Sequence, residues 1–237
     1  MDQINLCGVR IDNITKREAV AFALRKRNFP CMTVTPNAVM LDTCRRDARC
    51  SELLNAATLS LADGMGVMLL ARRQGTPFVE KVSGIEFGEA LMERAAEQGL
   101  RVFLLGGKEG VAHRAADNLC LRYPKLQICG AHNGYFDKNG EENEALLSSL
   151  SALRPDILLV CFGFPAQELW MRDNLPHLPF LRVAAGLGGS LDVWAGDVAR
   201  APALLSRIGL EWAWRMAREP RRLSNLPALL RIAFWRG

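Results

Sequence analysis

Two periods of apolar positions alternate along the chain. Short, largely apolar runs at 31–35, 58–62, 101–105, 127–131, 156–160 and 180–184 read as buried strands. Between them apolar residues recur every three or four positions, which predicts helices over 38–45, 51–56, 67–73, 83–98, 111–123, 141–153 and 166–174. Local signals sharpen several ends. Thr15 with Glu18 forms a capping-box pattern for a helix from Lys16 to about Arg27, and Ser83 with Glu86 repeats it. Gly99 closes the helix that Ser83 opens. Asn5 to Ile11 predicts a short strand or hairpin turning at Gly8. Strands that are nearly continuous apolar runs, alternating with helices, define an α/β fold: a Rossmann-like, mostly parallel sheet covered by helices on both faces.

The pattern changes near Pro202. Leu204, Leu205, Ile208, Leu210, Trp212 and Trp214 alternate with arginines at helical spacing, and a further helix is predicted from Leu226 to Trp235. The chain therefore divides into an α/β domain over 1–197 and a basic, tryptophan-bearing helical appendage over 198–237. Charge follows the same boundary. The appendage holds eight arginines against Glu211 and Glu219, a net +6, so the net +5 of the whole chain leaves −1 for the body. Composition is that of a soluble globular protein, 49% apolar and 23% charged. The seven cysteines are odd in number and no two form C-x-x-C, which argues against a disulfide framework or zinc site and for a reducing cytoplasm. No basic-then-apolar leader opens the sequence. Its longest apolar segments fall well short of the ~20 residues a spanning helix needs.

Chemistry belongs at the strand ends. Ala62-Asp63-Gly64-Met65-Gly66 sets a carboxylate between a strand and a helix, with glycines on which backbone can approach a ligand closely. Thr35-Pro36-Asn37, Gly106-Gly107, Gly163-Phe164-Pro165-Ala166-Gln167 and Gly186-Leu187-Gly188-Gly189-Ser190 end other strands. In a parallel sheet all of these lie on one edge, where ligands bind. Glycine turns leading into helix N-termini suit an anion such as a diphosphate. A competing role for Asp63, and equally for Asp192, is to cap the following helix. Gly106 to Gly110 lacks the spacing and Lys-Ser/Thr of a P-loop, and no G-x-G-x-x-G follows the first strand. No Asp-x-Asp pair stands ready to hold a metal against a nucleotide, and His113, His132 and His177 are scattered. No cofactor and no metal are expected.

The ordered set Thr35-Pro36-Asn37-Ala38, Ala62-Asp63-Gly64-Met65-Gly66, Val82-Ser83-Gly84, Leu104-Leu105-Gly106-Gly107, Gly134-Tyr135-Phe136, Gly163-Phe164-Pro165-Ala166-Gln167-Glu168, Gly188-Gly189-Ser190-Leu191-Asp192-Val193-Trp194-Ala195-Gly196, Arg200-Ala201-Pro202 and Gly209-Leu210-Glu211-Trp212 resembles the WecG/TagA/CpsF glycosyltransferases, glycosyltransferase family 26. The resemblance runs from about Asn5 to Arg222. It implies an inverting, metal-independent transferase that uses a UDP-sugar, with N-acetylmannosamine or its uronic acid as a frequent sugar. The implied acceptor is a sugar linked to undecaprenyl diphosphate at the inner face of the bacterial membrane, on the way to a surface polysaccharide or teichoic acid. The family's catalytic carboxylate falls on Asp63. Its substrate-contacting polar residues fall on Thr35, Asn37 and Gln167, and its tail arginines on Arg215 and Arg222. The chain departs from the family at Ala166, where lysine is common, at Glu86, where aspartate is common, and at Asn225, where arginine is common.

These roles agree with the chemistry of inversion. An attacking hydroxyl needs a base, and Asp63 suits it. A leaving UDP needs positive potential, which Gly106, Gly107, the helix N-termini and the arginines supply. Asp192 is placed to accept from the uracil or a ribose hydroxyl. The arginines, with Trp212, Trp214, Phe234 and Trp235, suit an anionic membrane surface, and the competing reading is an amphipathic helix pair with a solvated basic face. No nucleic-acid module accompanies the charge. Apolar surface beneath the tail offers a route to a homo-oligomer. The expected location is cytoplasmic and peripheral to the plasma membrane. The alternative function is a non-catalytic regulator or scaffold that binds a sugar nucleotide.

Overall fold

A computed structural model describes residues 2–202, 205, 211–218 and 220–235. Its centre is a six-stranded, all-parallel sheet. The strands are β3 (Cys31–Val34), β4 (Leu59–Ser60), β5 (Arg101–Gly106), β6 (Gln127–His132), β7 (Ile157–Cys161) and β8 (Val183–Gly186), in the spatial order β4-β3-β8-β7-β5-β6. A separate antiparallel hairpin, β1 (Gln3–Leu6) with β2 (Val9–Asp12), turns through Cys7 and Gly8, both at positive φ. Asp12 ties this hairpin to the sheet by accepting from the Ser60 N–H at 2.8 Å.

Alternate residues of each strand enter opposite layers, as the pleat requires. Val102, Leu104, Ile157 and Leu159 pack beneath α1 (Lys16–Ala23), α5 (Gly84–Gln98), α6 (Val111–Arg122) and α9 (Ser190–Trp194). Phe103, Leu105, Leu158 and Val160 pack beneath α2 (Ala38–Arg46), α4 (Met65–Arg73), α7 (Glu141–Leu153) and α8 (Ala166–Asn174), with α3 (Ala48–Asn55) beside them. The predicted fold class is the observed one.

The differences from expectation are local. α1 stops at Ala23, and Arg27 folds back over its end to donate to the Phe22 carbonyl at 2.6 Å. In the apolar run at 58–62 only Leu59 and Ser60 pair as β4, the strand at one border of the sheet, although the N–H groups of Thr58 and Leu61 also donate to the Met32 and Val34 carbonyls. The run at 180–184 enters the ladder only at Val183; before it, Leu178 and Leu181 bury themselves in turns. Ser83 stands at the N-cap of α5 as expected, but its hydroxyl donates to Glu86 at 2.7 Å and does not accept from the helix N–H groups. The Thr15–Glu18 capping box forms as expected.

Beyond residue 202 the described elements are α10 (Glu211–Arg218), a 3-10 segment (Pro220–Asn225) and α11 (Leu226–Phe234). α11 lies against α2 and α4, with Ile232 buried in the core layer they share. Arg231 fastens it by a two-nitrogen contact to the fully buried Asp42 carboxylate, at 2.7 to 3.1 Å. Arg45 and Arg46 pair with the same carboxylate.

Candidate active site

Three chain segments meet beyond β3 and β4. Asn37 caps α2, its Oδ1 accepting from the N–H groups of Val39 and Met40 at 3.0 and 3.1 Å. The Asp63 N–H donates to the Pro36 carbonyl at 3.1 Å, and the Val82 N–H to the Ala62 carbonyl at 3.0 Å. Gly66 sits so close to α2 that a Cβ there would stand 2.8 Å from that of Ala38. The starts of α2, α4 and α5 thus gather at the strand end that carries the half-buried Asp63. Each is a region of positive potential. The cap of α4 falls on Gly64, at φ 87°, so the competing role of Asp63 as an N-cap does not apply.

Thr35 is buried, and its hydroxyl donates to the Gly186 carbonyl at 3.3 Å. It joins the end of β3 to the end of β8. On the far side of β8 the sheet opens. β5 leads into a helix on one face and β7 into a helix on the other, which leaves a crevice outside their carboxyl ends. A cleft of about 840 Å³ occupies this crevice. Its walls are the turn at Gly107 and Lys108, the end of β7 at Phe162 and Gly163, Gly188 with Asp192, and the loop 134–138. Gly106 adopts φ 141°, and any Cβ there would strike the carbonyl of Cys161, so only glycine lets β5 and β7 close at this point. The Gly107 N–H donates to that same carbonyl at 3.3 Å.

The structure divides the residues the sequence singled out. Gly107 and Asp192 line the cleft, with Gly106 behind them. Thr35, Asn37 and Asp63 share the carboxyl edge but stand at the β3–β4 end and do not line this cleft. Gln167 faces inward. Its Oε1 accepts from the N–H groups of Gly163 and Gly188 at 3.2 and 2.9 Å, and its Nε2 donates to Glu168 at 2.8 Å. It therefore braces two loops from behind rather than reaching into the cleft. The side chains of Arg215 and Arg222 lie outside the described residues.

Sequence reasoning did not single out Glu168 or Lys138 as site residues. Glu168 is fully buried with one oxygen unpartnered, and burial pushes its acid up to about 6, against the lowering effect of the Gln167 hydrogen bond. Lys138 reaches the cleft from a loop whose Gly, Tyr and Phe were noticed while its lysine was not. A charged residue in a turn-rich loop carries no periodic signal. Among the described residues no cluster of His, Cys, Asp and Glu could hold a metal ion, and no helix is long and apolar enough to cross a membrane.

A parallel α/β sheet with a glycine-rimmed cleft at its carboxyl edge, and an acid at a neighbouring strand end, defines a Rossmann-like ligand-binding protein. Comparison with family models narrows the class: the glycosyl transferase WecG/TagA/CpsF family matches residues 4–236, nearly the whole chain, and the protein belongs to that family. It is a glycosyltransferase of cell-surface polysaccharide or teichoic acid biosynthesis.

Proposed function

We propose that the protein moves N-acetylmannosamine, or a related hexose or uronic acid, from a UDP-sugar to an undecaprenyl-diphosphate-linked sugar in one inverting displacement without a protein-held metal. The observation that supports this best is the division of the carboxyl edge. A carboxylate with three helix N-termini lies at one end, and a glycine-walled cleft of about 840 Å³ lies across β8 from it. That volume suits a sugar nucleotide.

In this reading Asp63 takes the proton of the acceptor hydroxyl as its oxygen attacks the anomeric carbon. The bond from that carbon to the β-phosphate oxygen breaks in line, and UDP leaves carrying the charge. Gly106, Gly107 and the start of α6 receive the diphosphate, and Asp192 accepts from the uracil or a ribose hydroxyl. Thr35 and Asn37 shape the acceptor side. Asn37 has spent its oxygen on capping, so its amide nitrogen is the group offered to substrate. Arg215 and Arg222 are assigned to the leaving diphosphate. The appendage over 198–237 is assigned to an anionic membrane surface, where Trp212, Leu223, Leu230 and Phe234 are exposed beside arginines.

The test is UDP release by purified protein offered several UDP-sugars and a lipid-diphosphate-GlcNAc acceptor, with and without EDTA. Turnover that persists in EDTA and depends on the lipid acceptor is expected. UDP binding with no turnover on any acceptor favours the non-catalytic sugar-nucleotide protein instead.

A further inference from the structure

We propose that Lys138 is a substrate-binding cation of the cleft, held in place to meet the diphosphate of the nucleotide donor. The proposal deepens the reading above and rests on it for the ligand's identity.

The ammonium of Lys138 is held by the loop that carries it. Its Nζ donates to the carbonyls of Gly134 at 2.8 Å and Phe136 at 3.4 Å. It also lies 4.5 Å from the centre of the Phe136 ring and 4.7 Å from that of Phe162. The two rings contact each other edge to face, and Phe162 does the same with the buried Trp170. This support fixes a long, flexible side chain at the cleft wall. An ammonium has three N–H donors, and the two carbonyls take two of them.

No carboxylate of the described residues pairs with Lys138. Two nearby acids, Glu142 and Asp137, are engaged within their own turn. Glu142 accepts from the Asp137 N–H at 2.6 Å, and Asp137 accepts from the Asn139 N–H at 3.0 Å. Burial lowers the lysine's pKa, with the charge of Asp137 opposing only in part. A neutral amide would staple the loop as well, at no such cost. A partly buried cation beside the Gly107, Gly163 and Gly188 turns becomes more favourable when an anion enters. Ala166, first residue of α8, adds only a methyl group to the same cleft and leaves room for one.

The experiment is calorimetric titration of uridine, UMP and UDP into full-length wild type, Lys138→Gln, Lys138→Met and Lys138→Arg. Lys138→Gln keeps a donor for the loop carbonyls and removes the charge. In both neutral variants we expect unchanged uridine binding, a modest loss for UMP and a loss of about 10- to 100-fold for UDP, the scale of one charge-assisted hydrogen bond. Lys138→Arg recovers most of it. Equal weakening of uridine and UDP assigns Lys138 to the loop alone and overturns the proposal, as does unaltered UDP binding in Lys138→Gln. A wild type that binds none of the three overturns the nucleotide reading itself, and this one with it.

Discussion

Gln167 can brace the two cleft loops in only one orientation. Its oxygen receives the N–H groups of Gly163 and Gly188; flipped, its amine would face those donors. The carboxylate of Glu168, accepting from Nε2, holds the amide the right way round. That carboxylate is expensive where it stands, and burial lifts its pKa to about 6. An acid whose folded pKa lies above its ordinary value of 4.5 contributes stability that is complete below 4.5 and is lost as pH rises through 6. The unfolding free energy of wild type, less that of Glu168→Gln, is expected to fall by about 2 kcal/mol between pH 4.5 and 7 in urea titrations. A difference flat with pH would assign the acid an ordinary titration. Asp63→Asn is expected to keep the fold and lower turnover by about 10²- to 10⁴-fold, read as UDP release with saturating acceptor. Near-full turnover would remove Asp63 as the base. At this scale Asp63 was legible in the sequence, because an acid between an apolar run and a glycine pair marks a strand end. Glu168 was noticed only as part of a motif, since nothing in a sequence tells a buried glutamate from one on the outer face of a helix.

The site depends on how closely its helices approach. α2 carries Asn37 at its cap, α4 follows Asp63, and they touch at Ala38 and Gly66. Gly66→Val forces them apart. We expect a loss of about 1–3 kcal/mol in stability, the usual cost of overpacking, and a fall in turnover beyond what the lost stability explains. A Gly66→Val variant with wild-type turnover would show that the spacing is not required. The last helix is held differently, by Arg231 on the buried Asp42, whose pKa is lowered first by that hydrogen bond and also by the charge of Arg46. Asp42→Asn leaves Arg45, Arg46 and Arg231 without their counter-charge. Amide exchange over 226–234 is expected to speed by about tenfold or more, while β5 and β7 keep their protection. Equal loosening of sheet and helix would indicate global destabilisation instead. The sequence predicted this helix from its spacing. It did not predict the Asp42–Arg231 pair, because a separation of 189 residues leaves no local trace.

Across the whole molecule, exposed large apolar side chains are scattered singly over the body, while the short described part of the tail carries Trp212, Leu223, Leu226, Leu230 and Phe234. Phe234 is 78% exposed and Leu223 55%. Phe234→Asp with Leu230→Asp is expected to reduce co-sedimentation with phosphatidylglycerol vesicles about tenfold or more and to leave UDP binding intact. Undiminished binding would confine the tail to packing. Truncation near Ala201 is a blunter measurement, because it also uncovers the layer in which Ile232 is buried.

What the sequence determined by itself was the alternation of elements, the parallel sheet and the set of glycine and acidic strand ends. Each follows from short-range patterns: continuous apolar runs, helical spacing, and turn residues between them. Only the tertiary structure decided which strand ends became neighbours. The order β4-β3-β8-β7-β5-β6 sets β3 and β8 between the end that bears Asp63 and the ends of β7 and β5, which wall the cleft together with the turn after β8. It also turned Gln167 inward and set Lys138 between two aromatic rings. Those choices are made by long-range packing, and strand order leaves no imprint on the period of any single segment.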